Sequence, residues 1–168
     1  AYLRLDHEYV LMALMPYIQQ LGLTIVSCNV SDDRLYVKAV SDKRTGEVKK
    51  GDVIRSGVSI SNGEIGNAKL EISPFIERLV CLNGLALPDN AFSNASRTRM
   101  RHSGSRIKGE AVAFVASRDT QYKEIEAKMA HARDAIDFAL HPDTVSHATG
   151  LLRDAQDGPQ IIRPLGAA

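Results

Sequence analysis

Tryptophan is absent, aromatic residues make up 5% of the chain, and only two cysteines occur among its 168 residues. Cys28 and Cys81 form neither a disulfide framework nor a zinc-ligand spacing. Both sit among apolar residues, which predicts buried free thiols in a reducing compartment and hence a cytoplasmic protein. The shortage of aromatics limits stacking on nucleobases. Tyr36, Phe75, Phe92 and Tyr122 are present, and Phe75 reads as buried. No apolar run approaches the roughly 20 residues of a membrane span, so no membrane partner is expected. No signal peptide is visible, and the N-terminal Ala suggests that the native start lies upstream.

Several chemistries are missing as well. No Gly-Lys-Ser/Thr follows the glycines at 57, 63 and 66, and no strand, Gly-x-Gly-x-x-Gly and helix pattern occurs, so no nucleotide cofactor is expected. Hairpin geometry is the favoured role for these glycines, with a flexible loop close to a partner as the alternative. Asn62 and Asn83 each precede glycine, where a turn or helix end outranks substrate binding. The five histidines lack ligand spacing: His102 lies among arginines, and His141 and His147 have no carboxylate motif between them. No metal and no catalytic residue is therefore assigned.

What is present suits one α+β domain over 1–168, with a core over about 1–140 and a C-terminal helix and tail over 141–168. Apolar content of 44% and charged content of 24% are ordinary for a globular chain. The net charge of +1 conceals an asymmetry. Residues 1–42 carry a net −2, residues 43–108 a net +6, and residues 109–168 a net −3. Such separation builds a local field that the total hides.

Residues 6–21 predict a helix, with Asp6 as N-cap, Val10, Leu11, Leu14, Met15 and Ile18 at helical spacing, and Gly22 as the stop. Pro16 argues for a kink. Residues 24–30 and 34–40 predict a hairpin turning at Ser31-Asp32-Asp33. Residues 41–52 read as a solvated loop. Residues 53–61 and 68–72 predict a second antiparallel pair. Ser73-Pro74 then opens an expected helix over 74–82, with Leu79, Val80 and Cys81 buried and Asn83-Gly84 as its end. Residues 85–108 read as irregular or partly helical. From about Glu110 to Leu140 the chain is expected to be mainly helical, interrupted or capped at Asp119-Thr120, with the helix over 119–140 carrying Ile125, Met129, Ala132, Ile136 and Leu140 on one face; Val112, Phe114 and Val115 fit a short strand as the alternative. The two hairpins should form one antiparallel sheet packed with these helices. Apolar residues at 151, 152, 161 and 162 add the expectation of a homo-oligomer.

The basic stretch is the strongest local signal. Arg97, Arg99 and Arg101 alternate, so an extended chain would present them on one side, and Arg106 and Lys108 repeat the spacing. With His102 they form one candidate nucleic-acid-binding group. Lys43, Arg44, Lys49, Lys50 and Arg55 form a second. Such residues suit phosphate contacts more than base readout. The alternative is a solvated loop, or arginines paired with the acidic C-terminal region.

Three pieces in order carry a resemblance. Ser61-Asn62 ends a strand before a glycine-containing loop, Ser73-Pro74 leads to Val80-Cys81-Leu82-Asn83, and a basic stretch ends in Arg101-His102-Ser103-Gly104 before a long helix. Over about 52–106 the chain resembles the phage- and plasmid-related proteins of the domain of unknown function family nine-three-two. Ser103 and Gly63 depart mildly from that family's usual residues. The resemblance implies a gene on a mobile element. By analogy of setting, it implies a non-enzymatic single-stranded DNA-binding or annealing protein with an architecture compatible with single-strand annealing proteins. The alternatives are an interaction protein that modulates a host defence or restriction system, and an enzyme with an unrecognised site.

Overall fold

The computed structural model describes residues 4–65, 68–79, 98–100 and 117–157. Helix α1 spans His7–Gln20, and strands β1, β2, β3, β4 and β5 span Leu23–Val30, Arg34–Lys49, Asp52–Gly63, Leu70–Arg78 and Thr98–Met100. Helices α2 and α3 span Arg118–Ala139 and Pro142–Asp157. The strands form one sheet in the order β1-β2-β3-β4-β5, each antiparallel to its neighbour. The fold is α+β, as the hairpin pattern predicts.

α1 forms where the periodicity places it. Its apolar residues Val10, Leu14 and Ile18 recur at three to four positions and are buried. Gly22, at φ +66°, supplies the left-handed residue that ends it. α2 starts at Ser117, whose hydroxyl accepts a hydrogen bond from the Thr120 backbone N–H. Its buried stripe is Met129, Ala132, Ile136 and Ala139.

Residues paired across an antiparallel ladder share a face, and successive residues alternate faces. On one face Leu35, Val37, Ala39, Val58, Ile60, Leu70 and Ile72 join α1 and α2 in a buried cluster. Further along that face, Ile54, Ile76 and Val48 bury against Ala148, with Leu152, of α3. The apolar Leu152 thus packs on the chain's own sheet. Arg153 fastens α3 by donating to the Val48 and Glu47 carbonyls.

Three expected elements are different in kind, the first being Thr98–Met100, which is strand β5 inside the stretch read as irregular or partly helical. Residues 41–49 are not a loop but the second half of β2, in which Thr45, Gly46, Glu47 and Lys49 pair with β3. A register shift between Val40 and Thr45 absorbs the polar residues that break the alternation. Residues 74–78 are not a helix but the second half of β4: Pro74, Phe75, Ile76, Glu77 and Arg78 pair with Val58 back to Ile54. Ser-Pro suits a helix start locally, yet here the outer half of β3 gains its ladder partner from this segment. Pro74 pairs with Val58 of β3, and the described residues of β5 pair with Leu70, Glu71 and Ile72.

The consequences for burial follow. Ile60, Leu70, Ile72 and Ile136 are buried as expected. Leu79, expected in the core, is 47% exposed just past the end of β4. Cys28 is exposed rather than buried because β1 is an edge strand. Val80, Cys81, the Asn83-Gly84 helix end, the segment over 85–97, the possible strand at Val112–Val115 and the tail beyond 157 lie outside the described residues.

Candidate nucleic-acid interface

The basic residues nominated from the sequence fall into three groups. The first is committed to carboxylates. On β3, Arg55 donates to Glu77 of β4 and to Asp42 of β2, with 2.8 Å from Nε to the Glu77 oxygen. The hydrogen bond to Asp42, then that to Glu77, lifts the Arg55 pKa further above its ordinary value. On β5, Arg99 donates to Glu71 directly across the ladder at 3.0 Å. Lys49 lies 3.6 Å from Asp157. The second group is Lys43, Arg44 and Lys50, which are exposed and have no ion-pair partner among the described residues. Lys43 and Arg44 ride the register shift of β2, whereas Lys50 sits at the turn into β3. The third group, Arg97, Arg101, His102, Arg106 and Lys108, lies outside the described residues.

Arg78, which the sequence did not nominate, clasps Asp52 with 2.8 Å from Nε to the carboxylate, and Gln156 of α3 adds a bond at 3.4 Å. The Arg78 hydrogen bond holds the Asp52 carboxyl below the usual carboxylate range despite its burial. Asn62, for which the sequence favours a structural role over substrate binding, makes structural contacts. Its amide donates to the Leu5 carbonyl at 2.9 Å and lies 3.0 Å from His7 Nδ1, joining the segment before α1 to β3.

The sheet face away from the helices has a different character. Register places Asn29, Tyr36, Ser61, Glu71 and Arg99 in one row across all five strands. The adjacent row is Ser27, Lys38, Ser59 and Ser73. Ser59 and Ser73 share a hydrogen bond of 2.9 Å between their hydroxyls. The next row is Thr24, Val40, Gly57 and Phe75, and Phe75 is buried as its apolar setting predicts. The Lys38 ammonium ties the rows together. It stands 4.6 Å from the centre of the Phe75 ring and 5.4 Å from that of Tyr36. Tyr36 itself is 37% exposed.

Chemically, these rows offer hydroxyls and an amide that both donate and accept, one cation and one accessible ring. The Glu71–Arg99 pair cancels its own charge. This platform was missed because only register aligns the rows. The available signal was the polar half of each strand's alternation: Ser27/Asn29, Tyr36/Lys38, Ser59/Ser61 and Glu71/Ser73.

Elsewhere, a groove of about 480 Å³ between α1 and α2 is lined by Tyr9, Met12, Ala13, Glu126, Met129 and Arg133. Arg133 there donates to the Ala13 carbonyl. Among the described residues no group of three or more His, Cys, Asp or Glu side chains could hold a metal ion. No described helix is long and apolar enough to cross a membrane. No family model, curated protein or solved structure matches this chain.

Proposed function

We propose that the chain is a non-catalytic nucleic-acid-binding module of a phage, prophage or plasmid, and that it takes single-stranded DNA across the sheet face opposite α1, α2 and α3 during annealing, recombination or replication. The observation that carries this reading is the pair of polar rows centred on Tyr36 and Lys38. A single strand offers flat bases and a charged backbone together. An exposed ring takes a base regardless of sequence, and a neighbouring ammonium takes a phosphate. The hydroxyls of Ser27, Ser59, Ser61 and Ser73 suit contacts to phosphate and sugar oxygens, which position a strand without reading it. Lys43 and Arg44 extend the cationic path further along β2. Arg55 and Arg99 take a supporting role, since each is already held by carboxylates of neighbouring strands.

The test is fluorescence anisotropy of a labelled oligothymidine at two salt concentrations, with a duplex of equal length in parallel. Tyr36→Ala should cost about 1–3 kcal/mol of single-strand affinity through lost stacking. Lys38→Ala should lower the salt slope by about 0.7 for one phosphate contact. Unchanged affinity in both variants, or no affinity above background in the wild type, would overturn the proposal and favour the interaction-protein alternative.

A further inference from the structure

Sheet edges are commonly protected by charge, proline, brevity, cover or a bulge, because an open strand offers its backbone groups to another strand; of these devices β1 carries only a single bulge. The two edges of this sheet differ in this respect. β5 has three described residues and carries Arg99. β1 has eight, Leu-Thr-Ile-Val-Ser-Cys-Asn-Val, with no charge, no proline and no glycine. Every residue of β1 except Leu23 is exposed. Ile25 and Val26 are 39% exposed and Val30 is 53% exposed. The single irregularity is a bulge at Val26, between the pairs made by Ile25 and Ser27.

We infer that β1 is a docking edge for a second copy of this chain, forming an antiparallel β1–β1 pair about a two-fold axis. Two-fold pairing demands a self-complementary strand, because each residue meets another from the same segment. β1 meets that demand, since a segment without charge places no like charges opposite each other. The bulge also selects a register. Ile25 and Cys28 pair with Ala39 and Val37, on the helix side of the sheet, whereas Thr24 and Asn29 pair with Val40 and Tyr36 on the opposite side. A pairing centred on Val26 and Ser27 sets Ile25 against Cys28, Thr24 against Asn29, and Leu23 against Val30 of the second copy. Each of these pairs lies on one face, as an antiparallel ladder requires. The same register sets Asp32 and Asp33 against the uncharged Leu21 and Gln20, away from their own copies.

An axis perpendicular to the sheet keeps the helices of both copies on one side. It joins the two polar faces on the other, with Ser27 and Asn29 at the seam. The dimer does not depend on nucleic acid, so its test is separate from that of the binding proposal.

The experiment is light scattering coupled to size exclusion, run without DNA over a micromolar concentration series, together with disulfide trapping. The wild type should approach a dimer as concentration rises. The double variant V26K/V30K should raise the dimer dissociation constant by about tenfold or more, through like charges at position 26 beside the axis and loss of the apolar Val30–Leu23 pair. M12K, at an α1 position that is 71% exposed, should leave dimerisation unchanged. Under mild oxidation, I25C should trap a covalent dimer through Cys28 of the second copy, whereas M12C should trap none beyond the wild-type background. This trapping also decides the matter if V26K/V30K fails to fold. A wild type that stays monomeric throughout, a dimer that survives V26K/V30K, or an I25C variant that traps no more than M12C would overturn the inference.

Discussion

Gly57→Ala should destabilise this protein sharply, although it adds one methyl group in a strand. Gly57 lies in the middle of β3, opposite Val40 of β2 and Phe75 of β4. A Cβ there would overlap the Ala39 carbonyl oxygen and stand 2.9 Å from both Cα and Cγ1 of Val40. Comfortable carbon contacts are about 3.5–4.0 Å, so β2 must retreat by about 0.6 Å or more. Two of the three obstructing atoms belong to backbone and cannot rotate aside. The crowding arises because Val40 is the last residue before the β2 register shift, where a bulged strand bends. Overpacking of this kind costs about 1–3 kcal/mol, occasionally more. Removing the glycine from the unfolded chain returns about 0.5–1 kcal/mol. The expected net loss is roughly 1–2 kcal/mol, or about 2–8 °C in Tm for a chain of this size. Thermal and urea unfolding followed by circular dichroism would measure it. Gly150→Ala is the matched control: nothing lies within 4 Å of its Cβ position in α3, so it should gain about 0.5–1 kcal/mol. If both variants melted with the wild type, the close approach of β2 to Gly57 would be refuted.

Two further outcomes follow from the polar contacts. Asn62→Ala should cost about 1–3 kcal/mol in urea unfolding, because the buried Leu5 carbonyl and His7 Nδ1 lose their partner; a change below about 0.5 kcal/mol would refute that role. The Tyr17 hydroxyl lies 2.6 Å from both oxygens of Asp137, and burial, then this hydrogen bond, pushes its pKa up to about 12. Its contribution to stability is therefore complete below the ordinary tyrosine pKa near 10 and is lost as pH rises through 12. Ultraviolet titration should show one tyrosinate step near pH 12 that vanishes in Tyr17→Phe, and a titration identical in the variant would contradict it.

The binding and pairing proposals rest on features that differ in how far they can be read from sequence. The alternation of Tyr36 and Lys38 is visible as a polar period of two. Its alignment with Ser59, Ser61 and Ser73 is not, because register is set by the whole ladder. The exposure of Cys28 is likewise invisible locally: an apolar strand reads the same at the centre of a sheet and at its edge.

The chain's own pattern determined α1, α2, the β1–β2 hairpin and the start of β3, because each is held by local periodicity and by local stops such as Gly22. It also determined the buried stripe Met129, Ala132 and Ile136, which any amphipathic helix over an apolar sheet must present. Tertiary structure decided the fate of 41–49 and 74–78. Both segments are locally ambiguous, and both became strand because β3 offered them ladder hydrogen bonds and α3 covered Val48, Ile54 and Ile76. It decided the arginines too. Arg55 meets Asp42 and Glu77 from 13 and 22 residues away, brought beside it by two adjoining strands. A run of basic residues states how much charge a segment carries. Which of those charges still faces solvent depends on carboxylates that the fold delivers from elsewhere in the chain.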